Sequence, residues 1–144
     1  MELRVVSVAF KGEADLEQVK RTAAAKVPNS MVQAVRAGGI TNGALVEMIA
    51  AQTIRADGTT NLLARKPEVD LLLRLAGTTQ ISRAIEQLGA RKGEPFLLVI
   101  VGRAKKLDSL SWGELGGVEL EKRDLTAAEL ERIEAAALLN VAKA

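Results

Sequence analysis

The chain contains no cysteine, no histidine and no tyrosine. Without cysteine there is no disulfide and no thiol nucleophile. Without cysteine or histidine there is no zinc site built on those ligands, and no triad that uses histidine as its base. Aromatic residues are scarce as well: Phe10, Phe96 and Trp112 make up 2% of 144 residues. A protein that grips nucleic acid by stacking bases on aromatic platforms needs more of them. Charge of one sign is also missing. The 20 Lys and Arg stand against 18 Asp and Glu, a net +2, so any surface for a polyanion is a local patch rather than a field of the whole molecule. No apolar run approaches the ~20 residues of a membrane span. The opening MELRVVSVAF lacks the long apolar core of a secretory signal. These absences lead to the expectation of a cytoplasmic protein with no membrane partner.

What is present is an ordered composition: 48% hydrophobic and 26% charged residues, in a length that fits one domain. Residues 2–10 (ELRVVSVAF) read as a strand and 30–36 (SMVQAVR) as a second. Between them, residues 13–25 carry Leu16, Val19 and Ala23 on one helical face. Thr41 or Asn42 caps a helix reaching about Arg55, with Leu45, Met48, Ile49 and Gln52 on a shared face. Asp57-Gly58 marks a turn, and Pro67 opens a helix that Gly77 ends. Thr78 or Thr79 then caps a helix whose Ile81, Ala84, Ile85 and Leu88 form an i, i+3, i+4, i+7 stripe, closed by Gly89. PFLLVIVG at 95–102 reads as a buried strand, residues 105–112 as a short helix, and 116–124 as holding a short strand. Thr126 and Glu129 form a capping box for the last helix, and Leu125 with Leu130 can staple it. The predicted architecture is α+β (mixed α/β): a small, mostly antiparallel sheet of about four strands flanked by helices, in a single domain over 1–144.

Candidate chemistry is thin. There is no phosphate-binding loop of the GxxxxGK[ST] or GxGxxG kind. RAGGITNG at 36–43 is Gly-rich ahead of a helix and could hold an anion, or be a plain turn. Asp70 and Arg74 are spaced as an i, i+4 pair on a helix surface. Glu68, Asp70 and Glu86 could ligate Mg²⁺ only if the fold gathers them. No set of residues is spaced to run a reaction, so no catalytic residue, metal or cofactor is expected.

The stretch 71–88, LLLRLAGTTQISRAIEQL, is the informative one. As a helix-turn-helix it would read DNA, but the interval after Gly77 is about two residues short, and Glu86 on the exposed face would repel phosphate. As a packed hairpin it would bury its apolar half. Its turn could also receive a strand end: Gly77 permits close approach, Thr78–Gln80 offer amides and polar side chains, and Arg65, Lys66 and Arg74 precede them. The last helix is unusual in a different way. Residues 135–142 (AAALLNVA) carry no charge, which predicts burial on more than one side and a partner surface.

The run EVDLLLRLAGTTQISRAIEQLGARKG, the strand PFLLVIVG directly after it, and the late LTAAELERIEAAALL helix resemble one family. It is the small PRPK-binding subunit of the KEOPS complex, the TPRKB-like proteins, in their archaeal type. Asp70, Ala76, Gly77, Gln80, Ile81, Ala84, Ile85 and Gly89 stand in the places of that family's motif. Asp70 replaces a more usual Glu, and Ala76 a frequent Ser. The resemblance implies a non-catalytic, regulatory subunit that binds the complex's small kinase-like ATPase. It also implies tRNA binding through the 3′ CCA end, in the service of threonylcarbamoyladenosine (t6A) modification. On that resemblance, the tRNA-end surface would comprise Arg65, Lys66, Arg74, Gly77, Thr78, Gln80 and Ile81. The kinase-facing surface would comprise Leu130, Leu138 and Val141. A DNA-binding regulator using 71–88 is the alternative.

Overall fold

A computed structural model describes residues 2–143. The order along the chain is β1 (Leu3–Phe10), α1 (Leu16–Lys26), β2 (Met31–Arg36), α2 (Gly43–Ala56), α3 (Pro67–Ala76) and α4 (Ile81–Leu88). There follow β3 (Phe96–Arg103), α5 (Ala104–Asp108), a 3-10 turn at Trp112–Leu115, β4 (Gly117–Glu119) and α6 (Ala127–Lys143). The strands make one sheet in the order β2-β3-β1-β4, with all three pairings antiparallel.

β3 is the hub because it is apolar on both faces. Successive side chains of a strand point to opposite sides, so β3 supplies two cores at once. Leu97, Val99 and Val101 face the layer of α2, α3, α4 and α6, where Ile49, Leu71, Leu75 and Leu88 are buried. Phe96, Leu98 and Ile100 face α1 and α5, with Val19, Ala23, Leu107 and Trp112. The register places Phe10 opposite Phe96, and their rings stack at 5.1 Å between centroids. The predicted α+β architecture is therefore the observed one: a four-stranded antiparallel sheet covered by helices on both faces.

Helix ends follow local chemistry. The Asp15 side chain accepts from the Gln18 N–H and Asn42 from the Ala44 N–H, which fixes the starts of α1 and α2. Pro67 occupies the first turn of α3, and Gly77 ends that helix in the left-handed conformation at φ 74°. Thr126 and Glu129 exchange both capping bonds at the start of α6. Some expectations shift. α1 begins three residues later than its apolar pattern suggests, because Asp15 caps it. The 105–112 segment is split, with α5 ending at Asp108 before the 3-10 turn. Met48 lies at the surface, 44% exposed, rather than on the core face of α2.

Candidate functional site

The chemistry around α3 starts with its ion pair. Asp70 and Arg74 are four apart, and Arg74 Nε donates to Asp70 Oδ1 at 2.8 Å with both side chains buried. The Asp70 carboxylate also accepts from the Thr53 hydroxyl at 2.6 Å and from the Leu63 N–H at 2.9 Å. Both of its oxygens are thereby engaged in hydrogen bonds within the chain. Among the described residues no three acidic side chains gather into a cation-sized group. The remaining nitrogens of Arg74 reach the Ala136 carbonyl, the Asn61 carbonyl and the Asn140 amide oxygen at 3.1 to 3.3 Å.

This corrects the place of Arg74. It is 2% exposed and points beneath α6 rather than into solvent, so it is not a ligand-facing residue of the turn. The pair is a buried fastening instead of a surface one. Arg65 and Lys66 need correction as well. They precede the first turn of α3 while Gly77 follows its last, and ten residues of helix hold the two ends about 15 Å apart. They are exposed cations, but they do not adjoin the turn.

The turn itself is open. Nothing stands within 4 Å of where a side chain on Gly77 would begin. Two of the three amides expected to be free are occupied: the Thr78 N–H donates to the Leu73 carbonyl and the Gln80 N–H to the Thr78 hydroxyl. Gln80, not Thr78 or Thr79, holds the N-cap position of α4. Beyond it α4 buries only Ala84 and Leu88. Ile81 and Ile85 remain 49% and 54% exposed, half of the stripe that the periodicity predicts to be packed. These two isoleucines edge a groove of about 320 Å³ shared with Lys20 of α1 and Gln33 of β2.

Gly77 opens into a different depression. This cleft of about 260 Å³ is lined by Leu75 and Gly77 at the end of α3, Leu88 of α4, and Arg132 and Ala135 of α6. The seven residues expected to act together are thus distributed over the start of α3, its buried side, the Gly77 cleft and the Ile81 groove. Arg132 and Ala135 were not predicted. In sequence Arg132 sits among charges (ELERIEA) and reads as a solvent residue; only the docking of α6 brings it to α3.

α6 is attached by polar pins on one face. Arg132 donates to the Leu75 carbonyl at 2.7 Å, Gln52 to the Ile133 carbonyl at 3.0 Å, and Asn140 to the Asn61 carbonyl. Burial of the Arg132 guanidinium pulls its pKa below the ordinary arginine value, and Glu129 partly opposes this by its charge. Among the described residues of the apolar stretch, Ala136 is the one that is fully buried. On the outer side Leu130, Leu138 and Val141 are 53%, 56% and 72% exposed. They lie at i, i+8 and i+11, so they share one stripe. Among the described residues nothing buries this stripe, which leaves it as the side expected to meet a partner.

Fold and site together define an α+β domain whose terminal helix presents one pinned and one open apolar face. No protein-family model and no curated protein matches the chain. No helix among the described residues is long and apolar enough to cross a membrane.

Proposed function

We propose that this chain is a non-catalytic subunit of a KEOPS-type tRNA-modifying assembly. It binds the small kinase-like ATPase through the outer face of α6 and receives a tRNA 3′ end beside Gly77. The observation that carries the reading is the open stripe of Leu130, Leu138 and Val141 on a helix that is pinned by hydrogen bonds along another face. Large apolar side chains in one line on a pinned helix favour a protein partner. The motif resemblance over 68–102 supplies the identity of that partner. The open Gly77 turn and its adjoining cleft support the second role.

Fluorescence-polarisation titration separates the two roles. Intact tRNA is expected to bind at least about tenfold tighter than tRNA lacking its CCA end. Equal affinity removes the 3′-end role. Co-purification with the kinase-like subunit tests the other role, and no association removes the assembly reading altogether.

A further inference from the structure

We propose that α6 is a flap: it lifts from α2 and α3 as one unit while the sheet and the other helices stay folded, and so uncovers the polar surface around Gln52 and Arg74. The hinge lies around Thr126. The motion belongs to the chain alone, with or without a partner.

The helix is held by polar contacts more than by apolar burial. Beyond its first turn, five side-chain hydrogen bonds among the described residues tie it down. Arg132 reaches the Leu75 carbonyl, Gln52 the Ile133 carbonyl, Arg74 both the Ala136 carbonyl and the Asn140 amide oxygen, and Asn140 the Asn61 carbonyl. To the core the helix contributes Ala136, fully buried, and Ile133, half-buried. β3, by contrast, has seven consecutive buried residues. Hydrogen bonds exchange readily for bonds to water, whereas buried apolar area has no such substitute.

The closed position also carries its own penalties. The Gln52 amide oxygen is buried with no hydrogen-bond partner among the described residues, and lifting α6 hydrates it. Arg132 regains water as well; its burial disfavours the charged form, which Glu129 partly offsets. Opening strands no charge, because Arg74 keeps Asp70 and the Asn61 carbonyl when it loses Ala136 and Asn140. The chain just before the helix is fastened separately. The Gly43 N–H donates to the Glu121 carbonyl, and the Asn42 side chain binds the backbone of Arg123 and Asp124. Leu125 packs against the core. The bend therefore falls at Thr126, where Asn42 also reaches Glu129.

The test is hydrogen exchange read amide by amide by NMR on the full chain, under conditions where closing outpaces chemical exchange. A lone helix of 17 residues is marginal in water, so lifting exposes its amides. Residues 130–141 are expected to share one protection level, within a factor of about three, and at least about a hundredfold below that of residues 97–101 in β3. Protection that falls steadily from residue 130 to residue 141 would mean fraying from the end and would overturn the flap. Protection equal to that of β3 would mean that α6 opens only on global unfolding, and overturns it as well. Val19→Ala, in the core on the opposite face of the sheet, is expected to lower β3 protection at least about tenfold and to leave α6 unchanged. An equal drop in both would make α6 part of the global unit. A low-urea series on the parent chain reads the same distinction, since β3 protection should fall steeply and that of α6 hardly at all. Asn140→Ala removes two of the five bonds and keeps a good helix former, so it is expected to lower α6 protection about tenfold. No change would mean that these bonds do not hold the flap shut.

Discussion

Asp70 and Arg74 show how burial changes the meaning of a spacing. On a solvated helix an i, i+4 pair contributes a few tenths of a kcal/mol. Here both side chains are out of water, and Arg74 also ties Asn61, Ala136 and Asn140 together. Removing one partner leaves the other charge buried and unpaired. Arg74→Leu is therefore expected to lower unfolding stability by about 3–5 kcal/mol in urea titrations. Adding Asp70→Asn to that variant should recover part of the loss, because the stranded charge is gone. A loss under about 1 kcal/mol for Arg74→Leu would mean that water reaches the pair.

At the scale of the element, α6 depends on its first turn. The Glu129 carboxylate accepts from the Thr126 N–H and from the Asn42 amide, which itself caps α2. The hydrogen bond from the Thr126 backbone is the largest cause holding Glu129 below the ordinary glutamate pKa of 4.5; burial opposes it, and the Asn42 amide, the Thr126 hydroxyl and Arg123 assist. A carboxylate with a lowered folded pKa adds stability above its unfolded value and loses that contribution as pH falls through the folded one. The contribution of Glu129 is thus in place above pH 4.5 and disappears below it. Glu129→Gln is expected to make the acid side of the stability profile shallower, as read from urea midpoints between about pH 6 and about pH 3. An unchanged slope would remove Glu129 from the acid response.

For the whole molecule the question is what covers the outside of α6. Leu138 is 56% exposed and takes no part in either core. Leu138→Arg should leave stability within about 0.5 kcal/mol of the parent. If the proposed kinase-like partner docks on this face, the same change should abolish co-purification with it, since a charge would enter a desolvated interface. Retained co-purification would move that interface off α6.

Local chemistry determined much of this protein. Strand alternation, Pro67 and Gly77 around α3, Asn42 before α2 and the Thr126–Glu129 box each act within a few residues, so their outcomes are legible in the order of amino acids. Only the tertiary structure decided which of the marked residues meet. Arg74 went inward because α6 lies across it and supplies acceptors from 62 to 66 positions away. Arg65 and Lys66 were separated from Gly77 because a helix is a rod whose ends are as far apart as its length. Arg132 came to the cleft because a helix distant in sequence docked there. Ile81 and Ile85 stayed exposed for the converse reason: a stripe at helical spacing specifies which residues share a face, and the neighbours that would cover that face come from elsewhere in the chain or from another molecule.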